Sequence, residues 1–385
     1  MPAVNCSHSP RTRRFSRAEA PAMTAHLPFQ PDRILVTRTD RIGDLLVSTP
    51  VFKALRERFP KAWIGAVIFQ ENRELLEGNP YLDEVILYDK KGSEKNALGH
   101  LAFALRLRKK NYQAVIHLHA THRMHQAAFL AGIPVRIGWA RKSPALLTHA
   151  IPDVKSEGLR HEAEYNFELL KILGVDLPQV LELYAPNLPK HEASLAELTA
   201  ALGMSPERPW ILINPSSSCP SKMWPASKFA KLISAMEKKY SAAVGLIGGP
   251  RDRALARRIL EEAGSLKAFD LTGRLSLGTL SCLIRKAALL VSNDSGPVHL
   301  ASAAGTPVVS IFGRNQPGLS PVRWRPLGGK SRYLWKDIGC RPCLAHHCRI
   351  QFLCLDVISV EDVLEAAESA ASLPSRSAVS GDSGR

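Results

Sequence analysis

From residue 33 onward, short apolar runs alternate with amphipathic stretches. The apolar runs predict buried strands at residues 34–36, 63–69, 85–88 and 114–118, and the amphipathic stretches predict helices that include 45–59 and 98–110. Strands that alternate with helices of this length are typical of parallel βαβ units. The first half of the chain is therefore predicted to be a doubly wound α/β domain.

A proline-rich segment, residues 184–190, interrupts this pattern and predicts a linker. The alternation then restarts, with strands predicted at 210–213, 243–247, 289–292 and 308–312 and helices at 228–240, 251–262 and 277–287. We expect two domains, 31–184 and 185–371, flanked by mobile ends at 1–30 and 372–385. Two such domains in series would form a cleft between the carboxyl ends of their sheets, where ligands of these folds bind.

Charge adds the expectation of an anionic partner. The 385 residues include 51 Lys and Arg against 35 Asp and Glu, and residues 186–385 carry +9 of the net +16. Nucleotide diphosphates, nucleic acids and acidic lipids would all satisfy this surplus.

No apolar run approaches the roughly 18 residues of a membrane span. The arginines at 11–17 precede no signal-like apolar region, and seven cysteines are too few for a secreted disulfide scaffold, so we expect a cytoplasmic protein.

The first polar loop, residues 37–44, connects the first predicted strand to the first predicted helix. Gly43 permits a tight turn, and Asp44 would sit at or near the helix N-cap. Two interpretations of Asp44 stay open at this point. Aspartate is among the commonest N-caps, so its role could be purely structural, or its carboxylate could do chemistry.

A second loop occupies the corresponding position in the second domain, at residues 214–225. Its serines, Ser216 and Ser217 among them, offer hydroxyl donors, and Lys222 offers a mobile ammonium, a set that suits a phosphate. An ordinary Ser/Pro loop with a solvated lysine would have the same composition. Gly248 and Gly249 follow another strand and form a further loop that a ligand could approach closely.

The third motif, residues 291–307, is a strand end followed by a helix rich in small residues. Asp294, Ser295 and Gly296 lie at the turn, and Pro297 falls in the expected first helical turn. Free N–H groups and the positive end of the helix dipole make such a start a candidate anion site. The alternative is purely structural: these residues would only cap the helix and allow it to pack tightly on the sheet.

Together, the Arg-Ile-Gly-Asp sequence at 41–44, the Lys-Met-Trp-Pro sequence within 215–225 and the Asn-Asp-Ser-Gly-Pro-Val-His sequence at 293–299 resemble glycosyltransferase family nine, the ADP-heptose:lipopolysaccharide heptosyltransferases. The resemblance runs from about residue 33 to about residue 364. It implies the α/β fold called GT-B, in which two Rossmann-like domains with parallel sheets face each other. The acceptor would bind to 31–184 and the sugar nucleotide to 185–371.

The resemblance also implies roles for individual residues. Asp44 would be the general base, Lys222 would contact the diphosphate and Asp294 the donor. The residues expected at the donor site are Ser216, Ser217, Lys222, Gly248, Gly249, Asp294, Ser295, Gly296, Pro297 and His299. The implied reaction is an inverting transfer of heptose from ADP-heptose to the lipopolysaccharide inner core, whose lipid A carries an acidic sugar. No cofactor would be required, and the enzyme would work at the cytoplasmic face of the inner membrane.

A histidine cluster follows a predicted strand of the first domain, at His117, His119, His122 and His125, with Arg123 among them. An acidic acceptor would suit Arg123 and protonatable histidines, and we expect Arg41, His119 and Arg123 at the acceptor site. A solvated loop is the alternative.

Four cysteines crowd into fifteen residues near the end of the chain, at Cys340, Cys343, Cys348 and Cys354. The first pair has the spacing of a zinc knuckle, which predicts a possible structural metal. The later spacings are irregular, so buried free thiols or a redox pair remain alternatives.

Other functions fit parts of the sequence. A GT-B transferase for another nucleotide sugar, or a GT-B sugar-nucleotide 2-epimerase, would share the fold. A basic module that binds nucleic acid or anionic lipid would explain the charge, but aromatic residues make up only 6% of the chain and no nucleic-acid recognition motif is present. We therefore expect no nucleic-acid partner, whereas peripheral contact with a membrane is compatible with a transferase.

Overall fold

The computed structural model describes residues 30–205, 208–265 and 267–374. The mobile ends predicted from the sequence lie outside these ranges, apart from residue 30 and residues 372–374.

The first half of the chain forms a six-stranded parallel sheet in the order β3-β2-β1-β4-β5-β6. Its central strands are buried except at Arg33 and are apolar in their middle positions, as expected for a sheet with helices on both faces. Its elements are β1 (Arg33–Arg38), α1 (Ile42–Leu46), α2 (Thr49–Arg58), β2 (Trp63–Phe69), β3 (Glu84–Tyr88), α3 (Ala97–Arg108), β4 (Ala114–His117), α4 (His122–Leu130), β5 (Val135–Trp139), β6 (His149–Ile151) and α5 (Glu162–Leu170).

The second half repeats the architecture, with a parallel sheet in the order β12-β11-β10-β7-β8-β9. The α/β prediction with two parallel sheets is thus confirmed. Its elements are α6 (Pro189–Ala201), β7 (Trp210–Asn214), α7 (Ala226–Lys239), β8 (Ala243–Leu246), α8 (Arg253–Ala263), β9 (Phe269–Asp270), α9 (Leu277–Lys286), β10 (Ala287–Asn293), α10 (Gly296–Ala304), β11 (Val308–Ile311), α11 (Pro321–Trp324), β12 (Ser331–Leu334), α12 (Leu353–Asp356) and α13 (Val360–Ala370).

Two details differ from the sequence prediction. The single helix predicted over 45–59 is two helices, α1 and α2, which are separated after Leu46; Pro50 lies in the first turn of α2, where its missing N–H costs nothing. The linker predicted to extend to residue 190 is shorter, because Pro189 occupies the first position of α6.

The chain crosses between the sheets at residues 184–187, and hydrogen bonds attach this segment to both halves. The Tyr184 N–H donates to Thr49 Oγ1 at 2.8 Å, and its hydroxyl donates to the Glu77 carbonyl at 2.6 Å. On the other side, Ser281 Oγ donates to the Pro186 carbonyl at 2.7 Å. The crossing segment is therefore fixed to both sheets at its two ends.

The second sheet buries an aromatic pair on one of its faces. Phe229 of α7 is fully buried, and its ring meets the ring of Trp224 edge to face with centroids 4.9 Å apart. The indole N–H of Trp224 donates to the Ile358 carbonyl at 3.0 Å, so the polar atom of this buried side chain has a hydrogen-bond partner.

In the described part of the chain, no helix is long and apolar enough to cross a membrane.

The aromatic pair predicts a stability effect. Replacing Phe229 with alanine removes a fully buried ring and leaves a cavity against Trp224, so Phe229→Ala should lower the free energy of unfolding by about 3–5 kcal/mol. Lys231→Ala, at an exposed position on the same helix, is the control and should change it by less than about 0.5 kcal/mol. Urea titrations followed by circular dichroism provide the measurement. Equal effects of the two substitutions would contradict the packing described here.

Candidate active site

A cleft of about 1590 Å³ lies between the carboxyl ends of the two sheets. The loops after β1, β2, β3 and β4 form one wall, and the loops after β7, β8, β10 and β11 form the other. All three motifs identified in the sequence reach it. The lining from the first half includes Thr39, Asp40, Arg41, Gly43, Asp44, Lys90, Lys91, His119, His122 and Arg123; the lining from the second includes Ser217, Ser218, Lys222, Gly249, Asp294, Ser295, Gly296, Pro297, His299 and Arg314.

The N-termini of α1 and α10 meet across the cleft, and glycines make this approach possible. A Cβ on Gly43 would lie 2.9 Å from Cδ2 of His299, and a Cβ on Gly296 would lie 2.9 Å from Cγ2 of Ile42. Both distances are below van der Waals contact. Gly43 and Gly296 are therefore needed for the close packing of the two domains at this point.

Asp44 is the third residue of α1 and does not cap the helix. The N-cap is Arg41, and no side chain caps this helix end. The Asp44 side chain lines the cleft at 21% exposure, and its Oδ1 accepts a hydrogen bond from Nη2 of Arg38 at 3.0 Å. Its Oδ2 has no hydrogen-bond partner among the described residues. The carboxylate is thus oriented through one oxygen, while the other is available to a ligand in the cleft.

Arg38, which holds Asp44, is itself the centre of a buried ion-pair network. Its side chain is only 3% exposed, and its Nη1 and Nη2 both lie 3.1 Å from Oε1 of Glu162 on α5. Its Nε donates to Oδ1 of Asp40 at 3.1 Å. Burial disfavours the charge on Arg38, but Asp40, Glu162 and Asp44 outweigh burial and raise its pKa further above its usual value.

Glu162 connects the two domains. Lys155 donates to its Oε1 at 2.8 Å, and Arg323, on α11 of the second half, places Nη2 at 2.6 Å from its Oε2. Burial opposes ionisation of Glu162, but Lys155, Arg38 and Arg323 hold its pKa well below the usual range. One buried carboxylate therefore binds three cations, and one of these comes from the opposite domain.

Asp40 is a second carboxyl group in the cleft, and its environment differs from that of Asp44. Burial raises the pKa of Asp40 to about 8, against the opposing effect of Arg38. Its Oδ2 lies 3.3 Å from Nδ1 of His119. At neutral pH, Asp40 is therefore mostly protonated and neutral. Asp40 lies in the first polar loop, residues 37–44, and its local sequence predicts no role for it.

The histidine cluster divides between core and cleft. His117 and His125 are fully buried with ring centroids 4.7 Å apart, and Nδ1 of His117 pairs with Thr37 Oγ1 at 2.8 Å. His119 and His122 line the cleft. Burial lowers the pKa of His119 to about 4, so it is neutral at neutral pH. Burial and the nearby Arg38 thus leave this ring little positive charge to offer an acidic acceptor at neutral pH, and the assignment of His119 to the acceptor site stays a prediction.

The two arginines predicted for the acceptor site line the cleft but are already hydrogen-bonded. Arg123 donates to the Tyr88 hydroxyl at 3.0 Å and to the carbonyl of Lys95 at 2.6 Å, so it fixes the loop before α3. Arg41 reaches across the cleft, and its Nη1 lies 3.5 Å from Ser218 Oγ in the second domain. Its position places it between the two walls rather than on the acceptor side alone.

On the opposite wall, Asp294 organises two cations. Its Oδ2 lies 2.7 Å from Nζ of Lys222 and 3.2 Å from Nη2 of Arg314, and the Asp294 side chain is only 6% exposed. The carboxylate therefore holds the lysine and the arginine side by side on the cleft wall. Arg314 was missed in the sequence, because nothing in its local pattern distinguishes it from a surface arginine.

The start of α10 completes this wall. Ser295 is the N-cap, but its hydroxyl is bound to Asn214 Nδ2 at 2.8 Å and does not cap the helix. In the first turn, Pro297 has no N–H and the Val298 N–H donates to the Ser295 carbonyl at 3.2 Å. The N–H groups of Gly296 and His299, two residues that line the cleft with Lys222, have no acceptor among the described residues. His299, within α10, is buried, and burial lowers its pKa to about 4, so it too is neutral.

Not every predicted donor-site residue reaches the cleft. Ser217 lines it, and its hydroxyl donates to the Asp294 carbonyl at 3.2 Å. Ser216 instead turns back to Asn214, to whose Oδ1 its hydroxyl donates at 3.1 Å, and Ser218 takes its place in the lining. Of the glycine pair, Gly249 lines the cleft, whereas Gly248 packs against Asp252. Ser216 and Gly248 thus lie outside the described cleft lining, and their assignment to the donor site stays a prediction.

The four cysteines of the C-terminal segment surround a separate cavity of about 190 Å³ and are free thiols. Burial and the neighbouring thiols raise the pKa of Cys354 to about 11. Within the described ranges, no group of three or more His, Cys, Asp or Glu side chains is placed to hold a metal ion. The geometry therefore gives no support to a ligand set, and the structural metal stays a prediction for metal analysis of the purified protein.

The Glu162 network predicts a pH-dependent stability effect. Glu162→Gln leaves three buried cations without their carboxylate and should lower the free energy of unfolding at pH 7 by about 3–5 kcal/mol. Because the folded-state pKa of Glu162 is lowered, its contribution is fully present above the unfolded value of about 4.3, begins to decrease as the pH falls below that value, and is lost only as the pH approaches the much lower folded-state pKa.

Glu168 provides the control on the same helix. It pairs with Arg160 and Lys171 nearer the surface, so Glu168→Gln should cost less than about 1 kcal/mol. Urea titrations of both variants at pH 7 and at pH 4 test the prediction. A deficit of Glu162→Gln that does not shrink at the lower pH would show that its ionisation is not the cause.

Comparison with known proteins agrees with these motifs. The model of glycosyltransferase family 9 (heptosyltransferase) matches residues 100–353. Lipopolysaccharide heptosyltransferase 3 from Escherichia coli K12 is 28% identical over 343 residues, which is 85% of this chain and 94% of the relative. Lipopolysaccharide heptosyltransferase 2 from the same strain is 28% identical over 317 residues, covering 78% of this chain and 87% of its own.

Solved structures show the same architecture. A family 9 glycosyl transferase from Veillonella parvula superimposes with a TM-score of 0.76 at 26% identity, covering 88% of this chain and 97% of its own. The ADP-heptose lps heptosyltransferase II of Escherichia coli superimposes with a TM-score of 0.72 at 25% identity, with coverages of 88% and 98%. Because the family model spans well over half of the sequence, the chain belongs to glycosyltransferase family 9 and is a glycosyltransferase with the GT-B fold.

Proposed function

We propose that this enzyme transfers a heptose from ADP-heptose to the inner core of lipopolysaccharide, with inversion at the anomeric carbon. The relatives named lipopolysaccharide heptosyltransferases support the acceptor, and the structural neighbour described as an ADP-heptose enzyme supports the donor. The reaction would take place in the cytoplasm, at the inner membrane face where a lipid-linked acceptor is exposed. No cofactor is needed for the steps proposed below.

One observation carries the proposal: a carboxylate and a cationic wall face each other in one cleft. Asp44 presents an unpaired carboxylate oxygen from the first domain. Lys222 and Arg314 lie side by side on the second, next to the uncapped start of α10. A diphosphate on the cationic wall would direct its sugar across the cleft toward Asp44.

The reaction can be written with these groups. An acceptor hydroxyl attacks the anomeric carbon while the bond from that carbon to the diphosphate oxygen breaks on the opposite side, and the hydroxyl proton passes to Asp44. The electron pair of the broken bond leaves with ADP. Lys222, Arg314 and the N–H groups of α10 stabilise the negative charge that develops there. Because Asp294 fixes the two cations beforehand, little reorganisation is required during the transfer.

The first domain also has positively charged side chains that could bind an acidic acceptor. Lys90 and Lys91 line its side of the cleft. Nζ of Lys91 lies 3.5 Å from Oε1 of Glu71 at the exposed edge of the cleft, whereas Lys90 has no salt bridge among the described residues. An acceptor sugar that carries a carboxylate or a phosphate would find its counter-ions here. With His119 neutral, these lysines are the cations that we assign to acceptor binding.

Turnover tests the function directly. Purified enzyme should transfer heptose from ADP-heptose to a truncated lipopolysaccharide acceptor, and UDP- and GDP-sugars should react at least about 100-fold more slowly. Lys222→Met should weaken ADP binding by at least about tenfold in calorimetry, since it removes a charge-assisted contact. Lys228→Met, on α7 outside the cleft lining, is the control and should bind ADP normally. Preference for another nucleotide, or epimerisation without an acceptor, would refute the proposal.

Two isosteric substitutions separate the roles of the carboxyl groups. Asp44→Asn should reduce single-turnover rates by about 10²–10⁴-fold, because an amide cannot take the acceptor proton. Asp40→Asn should retain activity within about tenfold, because asparagine resembles the protonated acid that a pKa of about 8 favours at neutral pH. Measured ADP affinities for both variants provide the control for binding.

The pH profile adds a second criterion. Above pH 8, Asp40 in the parent enzyme becomes charged and adds a negative charge to a cleft that binds a diphosphate. We therefore expect kcat/KM to fall above about pH 8 in the parent enzyme and to lack this decline in Asp40→Asn. If Asp40→Asn were inactive and Asp44→Asn active, the two assignments would have to be exchanged.

A further inference from the structure

Helix α3 is apolar on both of its faces. Its inner face, which includes Phe103, Ala104 and Leu107, is buried against the sheet and α4. Its outer face carries Leu98, Leu101 and Leu105, which are 78%, 43% and 47% exposed. A helix on the surface of a globular domain normally has polar residues on its outer face. The outer leucines belong neither to the buried core nor to the residues packed against it, so their exposure requires another explanation.

The three leucines form a continuous stripe. The spacings of three and four residues between them place all three on one side of the helix, one turn after another. Lys109 continues the same side at the end of the helix, and Arg108 lies beside it. The outer face thus combines an apolar stripe with a basic end, a pattern that suits a helix lying in the surface of a membrane.

Charge around the stripe has one sign. Between Lys95 and Lys110 the chain has no acidic residue. The carboxylates that contact this region, Glu94 and Glu84, are paired with Arg106 at 2.7 Å and with Lys110. Three cations remain without a salt bridge among the described residues, namely Lys95, Arg108 and Lys109. The surface is therefore complementary to anionic headgroups.

The stripe begins at the rim of the active-site cleft. Arg123, which lines the cleft, donates to the carbonyls of Glu94 and Lys95, and Asn96 then caps α3. Leu98 is thus only a few residues from the cleft lining, and the helix runs away from the cleft along the outside of the first domain. A lipid-linked acceptor that enters the cleft from a bilayer would reach it past this helix.

We propose that the outer face of α3, consisting of Leu98, Leu101, Leu105, Arg108 and Lys109, docks onto an anionic bilayer. The leucines insert among the headgroups and upper acyl chains, while the two cations contact anionic lipid. The surface holds the cleft next to the membrane in which the acceptor is anchored. This inference rests on the proposed lipid acceptor, but vesicle binding can be measured without any turnover.

Vesicle sedimentation tests the proposal. The parent enzyme should bind vesicles of phosphatidylethanolamine and phosphatidylglycerol and should bind phosphatidylcholine vesicles at least about tenfold more weakly. The triple variant Leu98→Gln/Leu101→Gln/Leu105→Gln should bind the anionic vesicles at least about tenfold more weakly than the parent. Glutamine keeps the helix propensity high, and the substituted positions are exposed, so the fold should be retained.

Two further variants complete the experiment. Leu177→Gln/Val180→Gln changes exposed apolar residues elsewhere in the first half, 46% and 70% exposed, and should bind vesicles like the parent. Arg108→Gln/Lys109→Gln should weaken binding to anionic vesicles and leave the residual binding to phosphatidylcholine unchanged. Unaltered binding of the leucine variant to anionic vesicles, or absence of binding by the parent, would overturn the proposal.

Other measurements distinguish the remaining outcomes. With a water-soluble truncated acceptor, the leucine variant should turn over like the parent, whereas with acceptor embedded in vesicles it should be at least about tenfold slower. If the parent binds vesicles through the leucines but transfers no heptose, the proposed function fails and the docking surface stands. If sedimentation equilibrium shows a dimer that the leucine substitutions dissociate, the stripe is an interface between two copies and the membrane proposal is wrong.

Discussion

The charge balance around Glu162 is the constraint on which the rest of the site depends. A buried carboxylate is costly unless it is paired, and here it is paired three times, with Arg38, Lys155 and Arg323. Through Arg38 it fixes the orientation of Asp44, and through Arg323 it attaches the second domain. The position of the proposed base and the spacing of the cleft walls thus depend on the same side chain.

The two carboxyl groups of the first loop show how this network creates different chemistry at neighbouring positions. Asp40 and Asp44 both contact Arg38, at Nε and Nη2 respectively. Asp40 is more deeply buried, at 12% against 21% exposure, and burial raises its pKa to about 8. Burial is the main cause of the raised pKa of Asp40, and the neighbouring carboxylates of Asp44 and Glu162 add to it.

The fold could be predicted from the sequence because its evidence is local. Each strand is a short apolar run, each loop after a strand carries the polar motif, and parallel topology brings those loops to one edge. The same logic placed Asp44, Lys222 and the start of α10 in one cleft. Local patterns did not show that the helix over 45–59 is broken, or that Ser216 turns away from the cleft.

The supporting residues could not be predicted in the same way. Glu162 lies 124 positions after Arg38 and 161 before Arg323, and nothing in its own neighbourhood distinguishes it from the surface glutamates of an amphipathic helix. Its importance comes from what the tertiary structure places around it. The protonation of Asp40 and His119 likewise follows from burial, which a single sequence does not show.

The crossing segment at residues 184–187 has a consequence for how such enzymes can diversify. Among the described residues, the chain passes from the first sheet to the second at this segment and does not return, since the last helix, α13, packs on α7 and β12. A recombination event near residue 188 could therefore replace the whole second half as one continuous piece of gene. The incoming half would have to bring its own equivalents of Arg323, Gly296 and His299, because these are the residues that fit the first domain.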